Sequence, residues 1–161
     1  MGLRLSVFLA ATVIVAGSSS VAAAALPAVL TQHAHEPFAT RPASISYTGD
    51  ATGIVGGTDG TSVRRPGHLR WTRYTQRQGT ARGVVWLNDC DPSCAGGRFS
   101  ALPATVHVFS PAHGRFTRLT LQFTDHGKHV TDRRRIQHMQ ASDGTSGYWV
   151  YAIVSITPPD F

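Results

Sequence analysis

The sequence predicts an all-β protein: one small antiparallel β-sandwich or barrel of about six or seven strands, preceded by a cleaved signal peptide. Three observations carry this expectation. Apolar residues recur at every second position in several separate stretches. Gly- and Pro-rich turn signals punctuate them about every ten residues. No stretch beyond the leader shows the 3.6-residue apolar period of an amphipathic helix.

Residues 1–25 set the compartment. Met1-Gly2-Leu3-Arg4 carries one positive charge, Leu5 to Gly17 is uncharged and apolar, and Ser18 to Ala25 ends in overlapping Ala-x-Ala sites. These are the parts of a secretory signal peptide, with the cut expected after Ala24 or Ala25. Its apolar core is shorter than the roughly 20 residues a membrane-spanning helix wants, so membrane contact is expected only through the leader, before cleavage. The remaining chain is expected to be secreted or held in the cell envelope. Residues 26–42, with Pro27, Pro37 and Pro42 and no regular apolar period, read as a flexible N-terminal segment, and 43–161 as the all-β domain. His33 and His35 flank Ala34 and could lean on one divalent metal, but two ligands make a weak site and a mobile polar tail is the plainer reading.

Ala43 to Thr48 alternates Ile45 and Tyr47 against Ser44, Ser46 and Thr48, the pattern of a half-buried strand. The Gly-rich run 49–62 that follows has neither G-x-G-x-x-G nor Walker A spacing. With no helix after it to cradle a phosphate, it reads as a mobile loop or a glycine-kinked hairpin.

The charge balance then becomes informative. The chain has a formal net charge of +6, and of its 15 basic residues only Lys128 is not arginine. Between Gly60 and Asn88 there is no acid, while arginines interleave with Trp71, Tyr74 and Trp86. Guanidinium groups hold anions and rings stack on bases or sugars, which makes Arg70, Arg73, Tyr74, Arg77 and Arg82 the candidate anionic-ligand face. The plainer reading is an ordinary strand, Leu69 and Trp71 inward, Arg70, Thr72 and Tyr74 in solvent. A net positive chain suits an acidic cell-envelope polymer or an acidic small ligand; composition singles out no partner, and nucleic acid is not expected.

Gln78-Gly79-Thr80 turns the chain into Ala81 to Asn88, so 68–88 is expected to form a hairpin. Its second strand is apolar on both faces, Val85 and Leu87 against Val84 and Trp86, which belongs at the centre of a sheet. At its end lie Cys90 and Cys94, the only two cysteines. In an exported chain this pair is expected to close a structural disulfide that shapes a turn, contributing about 2 kcal/mol by loop entropy. Redox chemistry would want Cys-x-x-Cys beside a βαβ unit, and a thiolate zinc site would want more ligands.

Trp71, Ala81-x-Gly83, Asn88-x-Cys90-x-Pro92-x-Cys94-Ala95-x-Gly97 and Pro103-x-Thr105-Val106 together resemble small secreted actinobacterial proteins with an N-x-C-x-P-x-C-A signature. The resemblance spans residues 68–123. It implies an exported all-β domain without an established function and hands over no catalytic residues.

Two more strands follow: Ala104 to Ser110, with Val106 and Val108 on one face, and Phe116 to Asp125, with Leu119, Leu121 and Phe123 on one face. Tyr148 to Ile156 is apolar on both sides and reads as a second central strand. Between them, 125–147 is polar. Residues 131–140 fit either a strand or one or two helical turns. His126, His129 and Asp132 form a weak candidate polar cluster with the ligand types of a metal or acid/base site, although solvated hairpin residues are the plainer reading. No metal or cofactor is expected.

The expected role is therefore non-catalytic binding of an envelope or extracellular ligand by an exported β-domain. One alternative is a small hydrolase without a recognisable motif. No G-x-S-x-G or H-E-x-x-H occurs, but triads assemble in space, and His107 or His126 beside a Ser and an Asp would make one. The other is a structural or protein-interaction domain that uses the disulfide loop and an apolar patch near Phe99 and Leu102.

Overall fold

The computed structural model describes residues 24–32, 34, 37–48, 53–56, 68–142, 144 and 146–154. The leader up to residue 23, His33, His35 and most of the Gly-rich run lie outside them. Among the described residues there is no helix, and the all-β expectation is met by ten strands.

Eight of these strands form one antiparallel sheet that curls into a half-barrel. Along it run β10 (Tyr148–Ile153), β9 (Lys128–Met139), β8 (Arg115–Asp125), β7 (Phe99–Ala112), β6 (Gln78–Asn88), β4 (Gly53–Gly56) and β3 (Ser44–Ser46). The eighth, β5 (Arg70–Tyr74), pairs β6 on the edge that β4 also uses: β5 takes Gly79–Arg82 and β4 takes Val85–Leu87. Strand β6 meets β7 along its whole length, Gln78↔Phe109 to Asn88↔Phe99. Its two apolar faces are thereby explained, since it has neighbours on both edges and packing on both sides. Val85 is fully buried, and on the opposite face the Trp86 indole Nε1 is shut off from solvent with no hydrogen-bond partner among the described residues.

The inner face carries the period-two apolar set. Ala81 and Val85 of β6, Ala104, Val106 and Val108 of β7, and Leu119 and Leu121 of β8 form one buried cluster. Gly79 lies in the same inward row because a side chain there would press into Trp71, Val108 and Tyr74.

The open side of the half-barrel is filled by the N-terminal residues, which corrects the reading of 26–42 as a flexible segment. Strands β1 (Val29–Leu30) and β2 (Phe38–Ala39) pair antiparallel, and Val29 and Leu30 are among the most deeply buried side chains. The segment also ties the sheet's two edges together. The Ser46 amide of β3 donates to the Thr31 carbonyl at 2.7 Å, and the Trp149 amide of β10 donates to the Ala34 carbonyl at 2.9 Å. Three side chains from the barrel wall grip it as well: Tyr151 Oη donates to the Leu30 carbonyl at 2.7 Å, Tyr74 Oη to Pro27 at 2.7 Å and Trp71 Nε1 to Pro42 at 2.9 Å. Prolines with no apolar period look like a tail in sequence. Here they are a strap whose carbonyls are satisfied by the wall.

Two further expectations change. Tyr148–Ile153 is an edge strand, paired only with β9 among the described residues, and not a second sheet centre. It is apolar on both sides because Trp149 and Tyr151 face the strap while Val150 is buried on the other side. Of the two readings left open for 131–140, the strand is the one found, running to Met139: Arg118↔Arg135 through Asp125↔Lys128 pair β9 with β8.

Candidate functional site

Register and alternation divide the arginines by face. Those turned inward are engaged. Arg134 binds Asp132 in a two-pronged pair, Nε to Oδ1 and Nη2 to Oδ2, both at 2.7 Å, and lies 5.5 Å from the Tyr47 ring centre. Burial, and after it the Asp132 charge, push the Tyr47 hydroxyl well above the usual phenol range, so the guanidinium rests on a neutral ring. Arg115 sits between Phe38 and Trp149, 4.3 and 4.9 Å from their ring centres, and clamps the strap to β10.

The outward arginines are different. Arg70, Arg73, Arg77 and Arg82 on the β5–β6 hairpin are all exposed, as are Arg118 on β8 and Arg133 and Arg135 on β9. Among the described residues none of them meets a carboxylate; the ion pairs there are Arg134–Asp132 and the turn pair His126–Asp125. Arg135 alone has a side-chain partner: with the Gln137 amide oriented so that its oxygen faces the guanidinium, that oxygen accepts from Nε at 2.9 Å and Nη2 at 2.6 Å.

Of the five hairpin residues singled out from the sequence, the four arginines are exposed and Tyr74 is not. Tyr74 points inward, because a β-bulge at Thr72 shifts the register between Trp71↔Ala81 and Arg73↔Thr80. The bulge reverses the alternation. It brings Arg73 out beside Arg70 and turns Tyr74 into the core, where its ring meets Trp71 at 4.8 Å and Phe116 at 5.6 Å edge to face. Burial pushes its hydroxyl up, and the nearby Arg41 opposes that shift. No pattern in the sequence marks the bulge, since strict alternation would have placed Arg73 inside.

Uncharged hydrogen-bonding groups, with the ring of Phe109 among them, occupy the outer face between the arginines. Thr80 Oγ1 and His107 Nδ1 lie 3.2 Å apart across β6 and β7. Beside them an open groove of about 640 Å³ runs over the sheet, lined among others by Arg82, Thr105, Gln122, Thr124, His129 and Thr131. Such a surface can hold oxyanions and hydroxyl groups. In sequence the Arg133-Arg134-Arg135 run is visible as a possible contact for acidic polymers, with alternation expected to split it between two faces; its partnership with Arg118 is not visible, because only the Arg118↔Arg135 register joins them.

The polar cluster comes apart. His126 sits exposed at the β8–β9 turn; His129 lies on the outer face, 3.1 Å from Thr124 Oγ1; Asp132 faces inward on Arg134. Alternation along β9 sends His129 and Asp132 to opposite faces. Neither His107 nor His126 is joined to both a serine and a carboxylate among the described residues. No group of three or more His, Cys, Asp or Glu there could hold a metal ion.

Cys90 and Cys94 are disulfide-bonded, and their loop joins β6 to β7. Its framework is made by side chains of the preceding strand end. Asn88 Oδ1 accepts from the Cys90 amide at 2.9 Å, and Asn88 Nδ2 donates to the Cys94 carbonyl at 2.7 Å. Asp89 Oδ1 accepts from the amides of Asp91 and Arg98, which hold its carboxyl below the usual range. Gly97 packs so closely on Asn88 that a Cβ would overlap the amide oxygen. The spacing Asn88, Cys90, Cys94, Gly97 is therefore the design of a pinned hairpin loop. Phe99 and Leu102 are half-buried, and the large apolar side chains exposed among the described residues are Met139, Tyr148 and Ile153. We expect Cys90→Ser with Cys94→Ser to lower stability by about 2 kcal/mol and leave the sheet intact. Urea unfolding followed by tryptophan fluorescence checks the first part, and far-UV circular dichroism the second.

No family model, curated protein or solved structure matches the chain.

Proposed function

We propose that this is an exported, non-catalytic β-domain that binds an anionic ligand of the cell envelope or its surroundings. The observation that carries the reading is the outer face of the β5–β6 hairpin. Arg70 and Arg82 stand directly opposite each other there, flanked by Arg73 and Arg77, with no carboxylate among the described residues to neutralise them. Like charges opposed across strands destabilise a sheet, so the arrangement is most readily stabilised by an anion seated between them. The leader-like residues 1–25 and the disulfide both suit an oxidising extracytoplasmic compartment. The inward turn of Trp71 and Tyr74 takes the hairpin's own rings away from the arginines and leaves the half-buried Phe109 of β7 as the ring beside them, which favours an anionic glycan or polyol phosphate over nucleic acid.

The test is retention of the mature protein on heparin resin across a salt gradient. Arg70→Ala with Arg73→Ala should elute at distinctly lower salt and flatten the dependence of log K on log salt by about one to two units, because fewer counterions are displaced. Elution at the wild-type position would sink the proposal.

A further inference from the structure

The hairpin is only half of the basic face, and the other half repeats its geometry. On β8 and β9, Arg118 and Arg135 are again directly opposed, with Arg133 two residues along the same face of β9. The sheet therefore carries two cross-strand arginine pairs, Arg70/Arg82 and Arg118/Arg135, each with a third arginine beside it. They share one face, since β6, β7, β8 and β9 pair in continuous register. One row runs Arg82↔Thr105↔Gln122↔Thr131 and the next Thr80↔His107↔Thr120↔Arg133. At a strand spacing of about 4.8 Å, the two arginine clusters lie two to four strands apart, roughly 10–19 Å across the strands, and Arg82, in the row of Gln122, is offset from Arg118 by a further distance of about 13 Å along them. The ground between them carries no charge of either sign: it is hydroxyl, amide and imidazole with one aromatic ring, Phe109, opposite Arg118, and the groove beside Arg82 lies in it.

Resting on the proposed anion-binding role, we infer that the ligand is a linear polyanion built of hydroxylated units, which crosses the strands and occupies both arginine clusters at once. A single phosphate or sulfate fills one cluster and leaves the other pair repelling itself. A chain long enough to span the face neutralises both, and its second contact is made at the high effective concentration set by the first. The hydroxylated backbone then lies over Thr105, Thr120, Gln122 and Thr131. A ligand whose recognition depends on stacking base after base would find a single half-buried ring there, Phe109 opposite Arg118.

The experiment compares the mature wild-type protein with two triple variants, Arg70→Ala/Arg73→Ala/Arg82→Ala and Arg118→Ala/Arg133→Ala/Arg135→Ala. Their binding to heparin fragments from the disaccharide upward, and to a single-stranded DNA of matched charge, is measured by titration calorimetry at fixed salt. Wild-type affinity should rise steeply with fragment length and level off once the fragment spans both clusters. Each triple variant should lose at least roughly tenfold for long fragments and abolish the length dependence. Each should also reduce the salt slope by about two to three units. The β8–β9 variant should melt no lower than wild type without ligand, since a repelling pair has been removed, yet gain less on adding long heparin.

The outcomes separate the two levels of the argument. If the hairpin variant weakens binding and the β8–β9 variant does not, the bridging inference fails while the anion-binding role stands. If neither does, both fail. Affinity independent of fragment length overturns the polymer, and DNA binding as tight as heparin of equal charge overturns the hydroxylated class.

Discussion

Leu30→Ala is expected to destabilise the protein by about 2–5 kcal/mol, as much as truncating a leucine in the middle of the sheet. The side chain is fully buried although it belongs to a two-residue strand in a proline-bearing segment. It fills the mouth of the half-barrel together with Val29 and beneath Tyr151, whose hydroxyl is bonded to the Leu30 carbonyl and pushed far above the usual phenol range by complete burial. Truncation removes the transfer free energy of the lost methyl groups. It also leaves a cavity that cannot collapse, because the strap is held at Thr31, Ala34 and Pro27 by hydrogen bonds to three different strands or their ends. Leu121→Ala, on β8 and equally buried, is the reference. Matched urea midpoints for the two variants are the expected result. A Leu30→Ala protein that unfolds with wild type would show the N-terminal residues to be dispensable to the core. Tyr151→Phe isolates the polar part of the same contact and should lower stability by about 1 kcal/mol.

The strap shows where the sequence stops being legible. The central parts of strands β6, β7 and β8 could be read directly because Ala81 and Val85, Ala104, Val106 and Val108, and Leu119, Leu121 and Phe123 keep to every second position or a multiple of it, and their inward placement follows that interval. In β1 and β2 no periodicity can appear, since each is two residues long. Their burial is decided by the gap that the curled sheet leaves open, a tertiary fact. The edge position of β10 was hidden for the same reason: the strap covers one of its faces and makes it as apolar as a central strand. At the candidate site, the acid-free hairpin could be read from the sequence as a run of arginines, four of which the structure leaves exposed. The Thr72 bulge and the Arg118↔Arg135 register, which decide which side chains stand together there, leave no local mark.

Strand β9 was the hardest to recognise, and the reason leads to the second large effect. Its inward positions are Val130, Asp132, Arg134 and Ile136, so a charged pair interrupts the apolar row that would have announced a strand. That pair is shielded: the Arg134 side chain is 14% and that of Asp132 19% exposed. Removing one partner in such a setting is far more damaging than removing both, because the survivor keeps its desolvation penalty and loses its compensation. Asp132→Ala should therefore lower stability by about 2–4 kcal/mol, leaving the guanidinium against Tyr47 with no carboxylate. The double change Asp132→Leu/Arg134→Met keeps the volume, removes both charges and continues the apolar row, so most of the loss should be recovered. Ala at the neighbouring Arg133 or Arg135, which point to solvent, should stay within about 0.5 kcal/mol of wild type. A four-variant cycle in urea measures the coupling between positions 132 and 134. A single Asp132→Ala no more costly than Ala at Asp125, the half-exposed last residue of β8, would mean that the inner face is wet at β9, and that these three adjacent arginines are not sorted into one that holds the fold and two that face solvent.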